Sequence, residues 1–203
     1  NTNLDQNHQL LPLLGHPSRS TQIGHVTPII KKTDLDPNDL NNVRPVTNLP
    51  FITKAIEQCV LLQLNQHIEE YNLHDSFQSG FRKGCSTKTS TLNITDDNFR
   101  ALDARVPCLL TLLDFSTALD TDNHQALLDT LTRCTFITGI VLQLFTSFLK
   151  HRSQRIKIKH AISQQAPVPQ GVPQRSILSP SLFNIYMEPL TAILRQAGIA
   201  YHL

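Results

Sequence analysis

The sequence predicts an α+β fold, because short β-prone runs alternate with longer segments whose apolar residues have helical spacing. Strand-like runs occupy residues 26–30, 108–113 and 155–159. Helical spacing is found over 53–70, 87–104, 125–133, 138–150 and from about 179 to 190. The chain has 203 residues, of which 40% are hydrophobic and 17% charged, so it can form one large core or two small ones.

Charge is distributed unevenly along the chain, although the formal net charge is only +2. Residues 1–129 contain 10 Lys and Arg against 15 Asp and Glu, whereas residues 130–203 contain 8 against 1. A basic part that follows an acidic part is typical of proteins that bind polyanions.

The cysteines and the hydropathy pattern bear on the compartment. Cys59, Cys85, Cys108 and Cys134 lie more than 20 residues apart and form no CxxC pair. This spacing favours reduced, partly buried thiols of an intracellular protein. No apolar run reaches the roughly 18 residues of a membrane span, and residues 1–20 contain no signal-peptide core, so we expect no membrane partner.

The segment 106–124 carries the first candidate site residue, Asp114. It directly follows Cys108–Leu113, an apolar run that we predict to be a strand buried on both faces. Burying an unpaired carboxylate costs several kcal/mol. Asp114 therefore reaches solvent, meets a basic partner or binds a metal ion, and the segment alone leaves these three options open.

Two basic segments are candidates for contact with phosphates. The loop 77–90 combines two glycines with Arg82, Lys83 and Lys88, which suits either phosphate binding or a solvated turn. Residues 150–160 begin as a basic turn and become a strand with cations on one face. The strand is either a sheet edge that lysines protect from pairing or a surface that binds a nucleic-acid backbone. In the second case the contacts would come from Arg152, Arg155, Lys157 and Lys159.

Six segments resemble, in their order, the reverse transcriptase of non-LTR (LINE-type) retrotransposons. They are VTPIIKK (26–32), DPNDLNNVRPVTNLPFITK (36–54), FQSGFRKGCST (77–87), LLDFSTALDTDNH (112–124), HRSQRIKI (151–158) and GVPQRSILSPSLFNIYMEPL (171–190). The resemblance covers about residues 25–203. It implies the fingers and incomplete palm of a right-hand polymerase, with an antiparallel sheet packed on helices.

The resemblance also implies a division of the chain. Residues 1–25 would be a polar lead-in, 26–105 the fingers, and 106–203 a partial palm truncated before the Tyr-Ala-Asp-Asp hairpin that supplies the remaining catalytic carboxylates. The family's partners are an RNA template, a DNA primer and a dNTP. The sequence predicts no oligomeric state.

In such a polymerase, carboxylates hold two Mg²⁺ ions that activate the primer 3′-hydroxyl and stabilise the leaving pyrophosphate. By resemblance, Asp114 is the catalytic metal ligand of the first palm strand, and the backbone carbonyl of Phe115 supplies a further oxygen. Asp120 and His124 match family positions that we interpret as structural. The positions expected near nucleotide or template are Arg44, Arg82, Lys83, Leu119, Gln174 and Ser176.

This chain departs from the family pattern at three points. Leu119 replaces the aromatic residue that excludes the ribose 2′-hydroxyl, and Arg175 replaces a glycine of the palm loop. The sequence also stops before the catalytic hairpin. We therefore expect this chain to be related to polymerases but to be catalytically inactive.

Two other interpretations remain open. The apolar run before Asp114 is also the pattern of a haloacid-dehalogenase-like nucleophile strand, but Ser116 stands where that family has a second aspartate. The other interpretation is a nucleic-acid-binding remnant without chemistry, or an inert transposon relic.

Overall fold

A computed structural model describes residues 23–115, 120–150, 152–173 and 175–203. Its strands are β1 (Ile23–Ile30), β2 (Val43–Asn48), β3 (Ser153–Ile158), β4 (Ala161–Ile162) and β5 (Ala166–Pro167). Its helices are α1 (Phe51–Glu70), α2 (Thr87–Asp103), α3 (His124–Thr135), α4 (Gly139–Leu149), α5 (Ser179–Tyr186) and α6 (Glu188–Gln196). None of the helices in these ranges is long and apolar enough to cross a bilayer.

The sheet is mixed, whereas the resemblance implied an antiparallel one. Its strand order is β2-β1-β3-β4, and β5 also pairs with β3. β1 is antiparallel to β2 but parallel to β3, with Ile23 opposite Ser153. A parallel pair needs a long crossover connection, and the helices between β1 and β3 provide it.

The core lies among the helices that link the two halves of the sequence. α1 contributes Val60, Leu64 and Ile68, which recur every four residues on one face. The matching apolar residues of the other helices are Leu127 and Leu131 of α3, Phe145 and Leu149 of α4, and Leu182 and Ile185 of α5. The predicted helices at 53–70, 125–133 and 138–150 are therefore confirmed with small shifts of their ends.

The prediction of a buried strand at Cys108–Leu113 is wrong for this structure. The run has no regular secondary structure, and Leu109 and Leu112 are 90% and 81% exposed. A strand buried on both faces needs a neighbour at each edge and a layer over each face. Among the described residues, no strand pairs with this run. α2, which precedes it, also buries none of its residues.

Gly171 holds residues 120–124 against the loop that leads to α5. Its backbone N–H donates to the carbonyl of Asp122 at 2.8 Å, and a ring nitrogen of His124 lies 2.7 Å from its carbonyl oxygen. Its φ is +79°, and a Cβ added there would lie 2.5 Å from the backbone oxygen of Asp120. Only glycine fits this position without moving one of the two segments.

We expect Gly171→Ala to lower the free energy of unfolding about 1–3 kcal/mol more than Gly84→Ala does. Both glycines have positive φ, of +79° and +81°, but a Cβ at Gly84 would meet nothing within 4 Å. Both variants therefore carry a similar cost of backbone strain. The difference between their free energies of unfolding measures the clash of the Cβ with Asp120. Urea unfolding of both variants tests this, and equal losses would contradict the close approach.

Candidate active site and nucleic-acid surface

Asp114 lies at the surface, together with the Phe115 side chain that follows it. Of the three options left open by the sequence, the structure shows the solvent-exposed one. No group of three His, Cys, Asp or Glu side chains in the described part of the chain could hold a metal ion. One carboxylate suits a Mg²⁺ ion that takes its other ligands from water and substrate phosphates, but it does not make a two-metal site.

Residues 176 and 177, in the loop before α5, are fixed to α1 by a buried carboxylate that sequence reasoning missed. Glu57 is only 1% exposed. Its Oε2 accepts hydrogen bonds from Ser176 Oγ at 2.9 Å and from the Ile177 backbone N–H at 2.7 Å. The available signal was its position on the apolar face of α1, three residues before Val60 and seven before Leu64. Ser176 is thus buried in this anchor.

Arg152 lies in the interior and not on the basic surface where the sequence placed it. It is 8% exposed, its guanidinium lies 4.9 Å from the centre of the Phe148 ring, and it donates to the Phe148 carbonyl. Burial lowers its pKa to about 10, and the nearby charge of Glu57 partly offsets this. The predicted contact of Arg152 with a nucleic-acid backbone does not fit this position, because a buried guanidinium cannot reach a phosphate.

The other cations of the basic segment are more accessible. Lys157 and Lys159 are exposed at the end of β3. Arg155 is half-buried and donates to the side-chain oxygen of Gln165 at 3.2 Å. The exposed part of this surface therefore consists chiefly of the two lysines.

The predicted finger residues differ in their surroundings. Arg44 is exposed on β2, opposite Ile29 of β1, and Lys83 is exposed in the loop before α2. Arg82 is half-buried and donates to the carbonyls of Asp75 and Gln78, so it stabilises the turn that precedes it. Leu119 and Gln174 lie outside the described residues.

A second buried carboxylate, Asp75, joins this turn to the last residues of the chain. It accepts hydrogen bonds from Arg195 at 2.8 Å and from the Tyr201 hydroxyl. Burial alone would raise its pKa, but these hydrogen bonds lower the pKa below its ordinary value. The backbone carbonyl of Leu203 accepts from the N–H groups of Ser79 and Gly80. No periodic pattern in the sequence signals this pairing.

Asp122 is buried without a partner for one of its oxygens. It does not cap α3, because Asn123 caps this helix by accepting from the N–H groups of Gln125 and Ala126. Asp122 is 1% exposed, and its Oδ2 has no hydrogen-bond partner among the described residues. Burial, and then the charge of Asp120, raise its pKa to about 6.

The chain belongs to the reverse transcriptase (RNA-dependent DNA polymerase) family, whose model matches residues 30–203. Members of the family generally use divalent metal ions and bind a nucleic-acid template and primer. The family assignment excludes the dehalogenase-like interpretation of Asp114.

The curated relatives are polymerases of Drosophila mobile elements. The chain is 28% identical over 158 residues to the RNA-directed DNA polymerase from mobile element jockey of Drosophila melanogaster, covering 78% of this chain and 17% of that protein. It is 25% identical over 147 residues to the probable polymerase from transposon BS of the same species, covering 72% and 16%. The chain thus spans about a sixth of the length of these relatives.

A solved structure shares the fold. Apo telomerase from Candida tropicalis, truncated from its C-terminal domain, matches with a TM-score of 0.55 and 14% identity, covering 88% of this chain and 40% of that one. The likeness is to a right-hand polymerase fold, as the sequence predicted.

We expect the buried Asp122 carboxyl to make the protein less stable as the pH rises. Its folded-state pKa, about 6, exceeds the ordinary 3.8, so the folded protein holds this proton more tightly than the unfolded chain does. This carboxyl should then lower the free energy of unfolding by about 1–2 kcal/mol between pH 4 and pH 6. Asp122→Asn, which stays neutral, should lose this fall.

Urea unfolding at pH 4 and pH 7 of the wild type and of Asp122→Asn measures the difference. Asp103→Asn, at an exposed position, is the control and should keep the wild-type profile. A gap between wild type and Asp122→Asn that is the same at both pH values would refute the raised pKa.

Proposed function

We propose that this chain provides the fingers and part of the palm of an RNA-directed DNA polymerase that copies an RNA template from a DNA primer. The family match over residues 30–203 carries this proposal. The division into fingers at 26–105 and palm at 106–203, after a polar lead-in at 1–25, is part of the same proposal, as is an intracellular location.

Asp114 and the backbone carbonyl of Phe115 would be ligands of Mg²⁺, which in this family stabilises the charge that develops on the transferred phosphate. The exposure of Asp114 supports this role, because an incoming metal ion with its triphosphate needs free access to the carboxylate. Leu119 would lie beside the sugar of the dNTP, and Gln174 and Ser176 would belong to the loop against nucleotide and template.

The exposed cations would hold the nucleic acid. Arg44 and Lys83 are free to contact template or triphosphate, and Lys157 and Lys159 are free to contact the phosphate backbone. Arg155, which is half-buried, would contribute less, and Arg82 would act mainly by shaping the loop that carries Lys83.

We also propose that the 203-residue chain does not catalyse nucleotide addition by itself. Two-metal catalysis needs several carboxylates around ions about 4 Å apart. In the described ranges, Asp114 has no such group of metal-binding side chains around it. A nucleic-acid-binding protein without chemistry is the second candidate, and the exposed lysines at the end of β3 favour it over an inert relic.

Primer extension and binding tests separate these functions. With an RNA template, a DNA primer, dNTPs and Mg²⁺, we expect the purified chain to bind the hybrid and to add no nucleotide. The same assay on Asp114→Asn is the control. Incorporation that disappears in Asp114→Asn would disprove the inactivity, and no binding at moderate salt would leave only the inert relic.

Salt dependence tests the basic surface. We expect Lys157→Ala combined with Lys159→Ala to weaken hybrid binding and to lower the slope of log K against log salt by about 2, because each lost phosphate contact removes about one unit. Lys54→Ala, at an exposed position of α1 far along the sequence from this surface, is the matched control. An unchanged slope in the double variant would remove these lysines from the interface.

A further inference from the structure

The loop between Gly171 and α5 is closed by its own hydrogen bonds. The Ser176 backbone N–H donates to the Pro173 carbonyl at 3.0 Å, and the Ser179 hydroxyl donates to the same oxygen at 2.9 Å. The Leu178 N–H donates to Ser176 Oγ at 3.2 Å. Arg175 lies between Pro173 and Ser176, the two partners of the first of these bonds.

Arg175 occupies a backbone conformation that normally selects glycine. Its φ is +68°, in the left-handed region that glycine adopts most readily. The resembling family has glycine at this position, so this chain carries a cation where the family has no side chain. The Arg175 side chain is exposed, whereas Ser176 beside it is buried.

Glu57 fixes this loop to α1. Both donors that follow Arg175, the Ser176 hydroxyl and the Ile177 N–H, end on the same oxygen of Glu57. A carboxylate that accepts two hydrogen bonds away from water holds its partners more tightly than it would at the surface. The residues that follow Arg175 are thus held on one side by a buried carboxylate.

We propose that Arg175 binds a phosphate of the template–primer, and that Glu57 is the positioning residue that places it there. This inference rests on the proposed function, since it needs a nucleic acid on the palm side of the chain. Arg175 supplies a guanidinium whose donors match phosphate oxygens, and Glu57 reduces the conformational freedom that the loop would lose on binding. The chain thereby gains a backbone contact that the glycine of its family cannot make.

Binding of an RNA–DNA hybrid to the purified chain, measured by fluorescence anisotropy at several salt concentrations, tests both parts. We expect Arg175→Ala to weaken binding roughly threefold to tenfold at low salt and to lower the salt slope by about 1. Arg175→Lys should restore most of the slope. Arg105→Ala is the matched control, because Arg105 is also exposed and also has positive φ.

The positioning role is tested by a double-mutant cycle. Glu57→Leu, which removes the acceptor at similar size, should cause the same loss as Arg175→Ala, and the two changes together should lose no more than either alone. Glu57→Gln, which keeps an acceptor oxygen, should restore binding. Glu70→Leu, at an exposed position of the same helix, is the control. If circular dichroism shows that Glu57→Leu is unfolded, Ser176→Ala replaces it by deleting one of the two hydrogen bonds.

Each outcome decides one claim. Unchanged affinity and slope in Arg175→Ala, with tight binding by the wild type, would refute the phosphate contact and leave the proposed function intact. Losses that simply add in the double variant would refute the positioning role of Glu57. A wild type that does not bind the hybrid at any salt concentration would overturn the proposed function and this inference together.

Discussion

The buried carboxylate of Glu57 is the constraint on which the arrangement of the candidate site depends. An isolated buried charge costs several kcal/mol, so hydrogen-bond donors are needed to offset that cost. Two donors of the loop before α5, almost 120 residues away in the sequence, bond to Oε2 of Glu57, whereas its Oε1 has no hydrogen-bond partner among the described residues. The need to satisfy Glu57 therefore ties α1, at the start of the chain, to the loop that carries Arg175 and Ser176.

The other end of the same loop is fixed by sterics and not by charge. Gly171 approaches the backbone of Asp120 so closely that a side chain has no room, and it exchanges hydrogen bonds with Asp122 and His124. Residues 120–124 and the loop before α5 are consequently held together. The backbone of Asp120 and the ring of His124 lie against Gly171.

Sequence reasoning succeeded where a feature depends on local periodicity. α1, α3 and α4 follow from apolar residues repeated on one helical face, and the family follows from the order of six segments. It failed where a partner remote in sequence decides the outcome. The parallel pairing of β1 with β3 cannot be seen in either strand alone, and the burial of Glu57, Arg152 and Asp122 depends on neighbours from other elements.

Pro189 divides the last predicted helix into two. The segment from 179 to 190 was predicted as one helix, but the structure has α5 and α6, with Pro189 in the first turn of α6. Proline lacks the backbone N–H that a continuous helix would use, so it is tolerated at a helix start and breaks a helix interior. Pro189 was therefore sufficient to predict the division.

The exposure of Cys108–Leu113 and that of Asp114 have one physical cause. The described residues provide neither a neighbouring strand nor a covering layer for this run, so its leucines and the carboxylate after them all meet water. A strand that paired with the run would bury those leucines at a gain of about 25 cal/mol per Å² and would exclude water from the surroundings of Asp114. Exclusion of water strengthens the attraction between a carboxylate and a divalent cation. In the proposed role of Asp114 as a Mg²⁺ ligand, its affinity for the ion would therefore be coupled to the burial of the apolar run before it.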